Sequence, residues 1–408
     1  MTGYAPSVEE REVVIVGGGP AGAALAIELG RRGRDVLVLE RAHEWRWRAC
    51  GVFTSPATVR RLARLGLSEE EFGAVARPLP AMRVETPAGT RFRLTYGDHG
   101  TARPGSAAVG LDRSALDPLL VAHARGAGAE VREGAAVRGV DGRRVTLAPG
   151  GSGAGEIEAR VLVGADGIRS IVARSAGVVR PAWLGDRVGL TFHVADPSPA
   201  TPRDARMVVF RDGYVGLAPV AGGRVNVGIV LGGRAATRLR VEGAEATAAA
   251  VLEAIPPAKD DPIDWPAAER CDPIEGAAPI GHRVARRHGS GWLLVGDAAG
   301  FLDPFTGEGL HRALVSASLA ADAVDRHLDG DTDALAAYDR VMSARFRSKD
   351  AVSLLVQAFL GRPAAFEFAA RRLAARSAVR ETMGLVMGDL VPASRALDPR
   401  FVWELLRP

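Results

Sequence analysis

EVVIVGGGPAG, residues 12–22, is the stretch that decides the fold. Its apolar first half predicts a buried parallel strand, and its glycines lead into an Ala-, Leu- and Ile-rich helix from about Pro20 to Arg32. Gly33 ends that helix, and the apolar run Asp35–Leu39 predicts a second buried strand. The three segments together make a complete β-α-β unit.

The glycine turn matches Gly-x-Gly-x-x-Gly, the pattern of a dinucleotide-binding loop. Gly17 permits the tight turn, Gly19 lets the backbone approach a pyrophosphate, and Gly22 lets helix and strand pack closely. Pro20 and Ala21 open the helix, whose N-terminus presents free N–H groups and a positive dipole end to the phosphates. The turn therefore predicts a pyrophosphate site.

An acidic residue ends the second strand. Glu40 is placed to accept both ribose hydroxyl hydrogens, and its charge repels a 2′-phosphate, which argues against NADP at this site. Arg41 follows in the chain and is assigned to the same site. NAD and FAD both remain compatible with this motif alone.

Two later strands end close to acidic residues. VLVGADG, residues 161–167, carries Asp166, and LLVGDAAG, residues 293–300, carries Asp297. Read alone, Asp-Gly after a strand is usually only a turn. Both positions nevertheless fall where open α/β sheets place their ligands, at the carboxyl ends of the strands.

A second glycine turn, PFTGEGL at residues 304–310, opens a long helix. Its site residues are Gly307, Gly309 and Leu310. Free N–H groups at the start of such a helix suit the pyrimidine end of a flavin, because reduced flavin carries negative charge there.

The order and spacing of these three motifs resemble the large flavoprotein group that includes p-hydroxybenzoate hydroxylase and the geranylgeranyl reductases. The resemblance covers roughly residues 12–330. It implies that the first motif and Glu40 hold the adenosine half of FAD and that Asp297 hydrogen-bonds the ribityl chain. It associates Asp166 with both FAD and the nicotinamide cofactor.

Three further FAD contacts are implied by the resemblance. Arg113, in LDRSALD (111–117), matches a recurrent arginine near the flavin. Arg48, in RWRACG, matches another in the loop after the second strand. Val137 stands where a backbone contact to the adenine is expected.

The predicted fold class is α/β (α+β), with a single Rossmann-type FAD-binding domain interleaved with an antiparallel β-sheet substrate domain, plus C-terminal helices. Alternating polar and apolar residues at 82–96 and 187–231 indicate the antiparallel parts. We expect the FAD-binding domain at 1–80, 100–182 and 272–330, the substrate domain at 81–99 and 183–271, and the helical region at 331–408.

Four side chains are candidates for catalysis or substrate binding. Cys50 lies near the flavin if the resemblance holds, although a small packing residue is the simpler interpretation. His311, one turn into the flavin-facing helix, is either a pocket residue or a helix-surface residue. His193 and Tyr214 lie on sheet segments expected to roof the flavin, and a structural role is the simpler interpretation of His193.

Three functions compete. The favoured hypothesis is a monooxygenase that oxidises a lipophilic or aromatic small molecule through a flavin C4a-hydroperoxide. The segment after Cys50 favours it, because Val52-Phe53 removes the second glycine of the reductase pattern Cys-Gly-x-Gly. The alternative is a flavin-dependent reductase or dehydrogenase of carbon–carbon bonds in an isoprenoid-like substrate. The intact Asp297 motif argues against a non-catalytic escort protein that binds no flavin. A standard halogenase needs a lysine in the first quarter of the chain, and the absence of one there excludes that function.

Composition sets the expected partners. NAD(P)H is expected as a transient reductant, or a partner protein supplies reduced flavin, because no second Gly-x-Gly-x-x-Gly is present. The net charge of +4 comes from arginines scattered among acids, which argues against nucleic acid. Two isolated cysteines predict neither a metal site nor a disulfide framework. With no apolar spanning run or secretory signal, a cytoplasmic protein is expected, of undetermined oligomeric state.

Overall fold

The computed structural model describes residues 8–45, 47, 51–96, 107–150, 155–185, 187–258 and 260–407. Its strands are β1 (Glu9–Val16), β2 (Val36–Glu40), β3 (Phe53–Thr54), β4 (Ala76–Leu79), β5 (Ala81–Glu85), β6 (Arg91–Thr95), β7 (Ala108–Leu111), β8 (Glu130–Glu133), β9 (Val137–Asp141), β10 (Arg144–Leu147), β11 (Glu156–Gly164), β12 (Val179–Arg180), β13 (Val188–Ala195), β14 (Ala205–Phe210), β15 (Gly213–Val220), β16 (Arg224–Leu231), β17 (Glu275–Ala277), β18 (Arg283–Val284), β19 (His288–Gly289) and β20 (Trp292–Leu294). Its helices are α1 (Pro20–Gly30), α2 (Pro56–Arg64), α3 (Glu69–Val75), α4 (Arg113–Gly126), α5 (Ile171–Ser175), α6 (Gly233–Glu253), α7 (Gly309–Leu328), α8 (Ala334–Leu360), α9 (Pro363–Ala375), α10 (Ser377–Met387) and α11 (Pro399–Leu406).

A largely parallel sheet carries the first motif. Its main strand order is β19-β20-β11-β1-β2-β8, and β1 runs parallel to both of its neighbours. Val13, Val14, Ile15 and Val16 are all buried, because α1, α4 and α7 pack on one face while β9, β10 and α5 cover the other. Burial on both faces explains why the strand is apolar throughout and does not alternate.

A second, mostly antiparallel sheet has the order β17-β13-β16-β15-β14-β5-β6. Every pairing in it is antiparallel except that of β14 with β5. Helix α6 packs on one face against inward residues such as Phe192 and Val227. The C-terminal helices pack on the other face around Val84, Met207 and Tyr214.

The predicted fold class is confirmed, and two details differ from expectation. The segment 183–271, expected as antiparallel sheet, also contains α6, which consists of two helical parts that meet at Gly243, where φ is +84°. The strand β17, which lies beyond residue 271, pairs with β13 in the second sheet. The exact domain boundaries stay a prediction.

Strands β3, β7 and β4 form a small sheet between the two large ones. A Cβ built on Gly110 of β7 would lie 2.0 Å from the carbonyl oxygen of Pro219 on β15, so only glycine permits this close contact. Within the part of the chain that is described, no helix combines the length and hydropathy that a bilayer crossing requires.

Candidate flavin site

The carboxyl ends of the adjacent parallel strands β20, β11, β1 and β2 lie along one edge of the first sheet. Asp297, Asp166 and the glycine turn follow the first three of these strands, and Glu40 is the last residue of β2. Parallel pairing therefore brings together residues that are far apart in the sequence, at the edge where such sheets bind ligands.

The three motif glycines have different surroundings. Gly17 has φ +104°, and a Cβ there would lie 2.5 Å from the carbonyl oxygen of Ala165. A Cβ on Gly22 would lie 2.0 Å from the carbonyl oxygen of Gly17. Around Gly19, by contrast, a Cβ would meet no heavy atom within 4 Å. Gly17 and Gly22 are therefore needed by the fold, whereas Gly19 keeps space open at the N-terminus of α1.

Glu40 is buried and faces the glycine turn. The backbone N–H of Gly18 donates to its Oε2 at 2.8 Å, and that of Ala42 donates to its Oε1 at 2.9 Å. These two backbone donors orient the carboxylate of Glu40, whose oxygens are acceptors of the kind that ribose hydroxyls require. Arg41, by contrast, is exposed.

Asp166 has one satisfied and one unsatisfied oxygen. The backbone N–H of Ile171 donates to Oδ2 at 2.6 Å. The buried Oδ1 has no hydrogen-bond partner among the described residues. Burial is the main cause of the raised pKa of this carboxyl group, and hydrogen bonds from the following turn oppose it.

Asp297 is half-buried, and its carboxylate accepts no hydrogen bond from the described residues. Burial raises its pKa to about 6, although the positive charges of Arg113 and Arg312 oppose this. The preceding Gly296 has φ +58°, and a Cβ there would lie 2.7 Å from the Cβ of Ala21. The third motif therefore packs directly on the first.

The turn before α7 depends on Gly307, which has φ +66°. A Cβ on Gly307 would lie 2.3 Å from Cδ1 of Phe53, so an aromatic ring closes one side of this turn. Leu310 is buried, and a Cβ on Gly309 would meet Phe301 at 3.5 Å. Helix α7 has no side-chain cap at Glu308, which leaves its first N–H groups available to a ligand.

Arg113 is brought to this edge, and Val137 lies two residues after Ala135, whose backbone N–H donates to the carbonyl oxygen of Glu40 at 2.9 Å. Arg113 forms a two-pronged ion pair with Asp117, and its Nη1 donates to the carbonyl oxygen of Gly51 at 3.4 Å. Val137 begins β9, next to the register shift with β10. Arg48 and Cys50 lie outside the described residues, so their predicted roles stay predictions.

His311 is buried inside the protein and is not a helix-surface residue. Its Nδ1 lies 3.1 Å from the hydroxyl of Thr58 and 3.8 Å from Oδ2 of Asp389. Burial lowers its pKa to about 4, despite the opposing charge of Asp389. Since Lys349 donates to Oδ1 of Asp389 at 2.8 Å, His311 belongs to a polar network between α2, α7 and α8. Its catalytic role stays a prediction.

Tyr214 is buried and its hydroxyl is occupied. It donates to Oδ1 of Asp303 at 2.6 Å, in the turn just before α7. The same carboxylate also accepts from Gln357 at 2.7 Å and, through Oδ2, from Arg187 at 2.7 Å. We call these four residues the Asp303 cluster. Tyr214 thus helps to hold the flavin turn, and its predicted substrate contact stays a prediction.

His193 lies on the face of β13 opposite α6. Its ring Nδ1 donates to Oδ2 of Asp272 at 2.5 Å, and its backbone N–H donates to Oδ1 at 2.7 Å. The ring contacts Trp47, with centroids 4.1 Å apart. Its Nε2 is buried and has no partner among the described residues.

Sequence reasoning missed Asp272, Asp303 and Trp47. Asp272 is separated from His193 by 79 positions, and no local pattern links the two. Asp303 had a signal, because an Asp before Pro304 suggests a turn cap, and its side chain does accept from the N–H of Phe305 at 3.0 Å. Trp47 lies in a loop, where its only signal was its aromatic character.

The residues at this edge fit FAD. Gly19 leaves open space at an uncapped helix N-terminus, which suits a pyrophosphate. Oδ1 of Asp166 is a buried acceptor that lacks a partner among the described residues, and it can accept a hydroxyl hydrogen from the ligand. Among those residues, no group of His, Cys, Asp or Glu is arranged to hold a metal ion.

Comparisons with known proteins agree with this geometry. A family model described as an FAD binding domain matches residues 10–348. Digeranylgeranylglycerophospholipid reductase 1 of Methanopyrus kandleri is 31% identical over 343 residues, covering 80% of this chain and 83% of that protein. Menaquinone reductase of Mycobacterium tuberculosis is 30% identical over 338 residues, covering 78% of this chain and 77% of that protein.

Among solved structures, the myxobacterial chondrochloren halogenase CndH has a TM-score of 0.73 and 26% identity, with 85% of this chain and 82% of that chain covered. The family match spans most of the chain, including all three motifs. The protein therefore belongs to the FAD-binding family that this model describes, and it is an FAD-dependent oxidoreductase.

Proposed function

We propose that the protein is an FAD-dependent reductase of carbon–carbon double bonds in an apolar, isoprenoid-like substrate. The observation that carries this proposal is the similarity to relatives named as reductases, at 31% identity over 80% of this chain and 30% identity over 78% of it. We favour it over the oxygenation predicted from the segment after Cys50, because that segment is short and the similarity is long.

An apolar cluster beside the flavin turn supports a lipophilic substrate. Its members are Val52, Leu79, Tyr96, Ala108, Ala205, Ala218 and Val220, with Trp47, Phe53, Met82 and Met387 packed against them. Phe53 joins the cluster to Gly307, and its ring lies 5.3 Å from that of Tyr96. An apolar wall at this position would exclude water from the substrate.

Two glycines face each other on the adjacent strands β15 and β16. Gly216 pairs with Gly228, on the sheet face opposite α6. A Cβ on Gly216 would meet only Met207 and a backbone oxygen, at 3.5 Å or more. Glycine inside a strand often marks a place where a ligand approaches the backbone closely, so this pair offers a flat surface to an elongated substrate.

FAD held by the Gly17–Gly22 turn and Glu40 would supply hydride chemistry for this reaction, in which the alkene gains a hydride on one carbon and a proton on the other as its π bond breaks. NAD(P)H or another external hydride donor must then restore the reduced flavin. The chain's own part is to orient the alkene against the flavin and to keep water out.

A direct test uses the FAD-loaded protein, reduced with dithionite under anaerobic conditions and mixed with geranylgeraniol, which has no quinone ring that could be reduced instead. Mass spectrometry should find products that have gained two hydrogens for each reduced double bond. Unchanged polyprenyl chains, with the flavin still reduced, would contradict the proposal.

Monooxygenation is the second candidate, and the contact between Phe53 and Gly307 favours it. The ring stands where the second glycine of the reductase pattern would leave space. In that reaction one oxygen atom of O2 enters the substrate, and the other leaves as water with two electrons from reduced FAD and two protons. Incorporation of ¹⁸O from ¹⁸O2 into the product, without hydrogenation, would select this candidate.

A standard halogenase remains disfavoured despite the similar fold of CndH. The lysine at 349 is buried in α8, where its Nζ donates to the carbonyl oxygen of Val386 and to Asp389, each at 2.8 Å. It therefore does not replace the lysine that the first quarter of the chain lacks.

A further inference from the structure

Two buried polar atoms near the flavin site lack hydrogen-bond partners among the described residues. They are Nε2 of His193 and Nε1 of Trp47. The two rings touch edge to face, with centroids 4.1 Å apart and an interplanar angle of 61°. Leaving both atoms unsatisfied in the folded protein is unfavourable, so their persistence side by side points to a ligand that supplies the missing bonds.

The carboxylate of Asp272 determines which hydrogens are available. It accepts the backbone N–H of His193 at 2.7 Å and the ring Nδ1–H at 2.5 Å. In the neutral imidazole, a hydrogen on Nδ1 leaves a lone pair on Nε2. The indole Nε1 of Trp47 can only donate. The pair therefore offers one acceptor and one donor.

The groups that face His193 keep it neutral near pH 7. Burial is the largest cause of its lowered pKa, while the charge of Asp272 opposes the shift. Arg224 on β16 lowers the pKa further, and Asp112 raises it. Arg224 and Asp112 pair with each other at 2.5 Å, so their charges largely compensate.

The same contacts connect this pair to the flavin site. Asp112 caps the N-terminus of α4, whose first residue, Arg113, acts electrostatically on Asp297. Trp47 and Phe53 both pack against the apolar cluster. His193 and Trp47 thus supply one hydrogen-bond acceptor and one donor beside an otherwise apolar cluster.

We propose that Trp47 and His193 bind a hydroxyl group at the polar end of an otherwise apolar substrate: Nε1–H of Trp47 donates to the hydroxyl oxygen, and Nε2 of His193 accepts the hydroxyl hydrogen. Asp272 is a positioning residue that acts through His193. A carbonyl or ether oxygen can accept the N–H of Trp47, but it carries no hydrogen to donate to Nε2 of His193. The inference rests on the proposed function only in placing the substrate beside this cluster, and it names a substrate class that the relatives' names do not.

The test measures binding to the oxidised, FAD-loaded protein by perturbation of the flavin absorbance, and needs no turnover. The probes are 2-naphthol and 2-methoxynaphthalene, which share a ring system but differ in the hydroxyl hydrogen. At pH 7.5 we expect the naphthol to bind about tenfold more tightly. Trp47→Phe and His193→Phe should each reduce this preference to about threefold or less. His123→Phe, which alters a distant His–Glu71 pair, should keep it.

The pH profile separates binding from a merely structural role. Protonated His193 would donate from Nε2 and accept nothing, so the preference should fall at acid pH, below the ordinary titration range of histidine, because burial lowers the pKa of this ring. Asp272→Asn removes the charge that raises the pKa of His193, and should move this loss to lower pH. Equal affinity for the two probes, no saturable binding of the naphthol, or a preference unchanged in both ring variants would overturn the proposal. Failure to reduce an alkene would contradict only the proposed function, because these measurements involve no reaction.

Discussion

At the scale of single residues, Asp297 is expected to destabilise the FAD-free protein and to strengthen the binding of FAD. The pKa of its carboxyl group is raised from 3.8 to about 6 by burial, so the unfolded chain holds this charge more easily than the FAD-free fold does. Stability from this group is therefore greatest below pH 3.8 and is lost as the pH rises to about 6. Asp297→Asn should stabilise the FAD-free protein by about 2 kcal/mol at pH 7.5 and change little at pH 4.

The same substitution should weaken FAD binding by roughly tenfold or more, because the amide has only one oxygen to accept ribityl hydrogens. Urea unfolding of the FAD-free protein at both pH values measures the first effect. Titration of FAD, followed by the quenching of its fluorescence, measures the second. An Asn variant that is less stable at pH 7.5 than the wild type would show that Asp297 is stabilised by partners in the FAD-free fold.

His311 is expected to make the fold sensitive to acid. Burial lowers its pKa from 6.5 to about 4, so the unfolded chain takes up a proton at a higher pH than the folded protein does. The stability contribution of the neutral ring is complete above pH 6.5 and is lost as the pH falls through about 4. The total over this window is about 3 kcal/mol. In His311→Gln, the free energy of unfolding should fall less steeply between pH 7 and pH 4.5; parallel curves for the two proteins would contradict this assignment.

At the scale of elements, α1 and its glycine turn separate the needs of the fold from those of the ligand. Gly19 has φ −65° and open space around it, so Gly19→Ala should change the free energy of unfolding by no more than about 1 kcal/mol. Its methyl group would enter the pyrophosphate position, and FAD affinity should fall at least roughly tenfold. Gly22→Ala is the matched variant: it forces a methyl group against the carbonyl oxygen of Gly17 and should destabilise the FAD-free fold by about 2 kcal/mol. Normal FAD binding by Gly19→Ala would refute the pyrophosphate assignment.

The elements that the sequence predicted are those whose signals are local. The strand ends at Glu40, Asp166 and Asp297 could be placed together, because parallel strands in one sheet share an edge. Helix α6 was missed, since its pattern is interrupted at Gly243, where φ is +84°, and its amphipathic face is weak. The partnership of His193 with Asp272 could not be predicted, because it depends on how a loop returns to β13, which no nearby residue encodes.

At the scale of the whole molecule, the Asp303 cluster joins three layers. Arg187 and Tyr214 come from the second sheet, Gln357 comes from α8, and Asp303 belongs to the turn that opens α7. All four residues lie at or near the protein interior, so their bonds compete with little water, and removing one buried charge leaves the others unsatisfied. Asp303→Ala should therefore destabilise the protein by about 3 kcal/mol, whereas Tyr214→Phe, which removes one hydrogen bond, should cost about 1 kcal/mol.

The cluster should also transmit the binding of FAD to the C-terminal helices. Because FAD is expected to contact the turn at Gly307 and Gly309, it should restrain Asp303 and, through Gln357, helix α8. Hydrogen exchange should then slow on FAD binding both in the turn and in α8 of the wild-type protein. In Tyr214→Phe, which keeps the Asp303–Gln357 bond, protection of α8 should persist. In Gln357→Leu it should be lost, while protection of the turn remains, since the turn still contacts FAD. Equal protection of α8 in the wild type and in Gln357→Leu would mean that the helices respond to FAD by another route, such as packing of the apolar core around Val352 and Phe366.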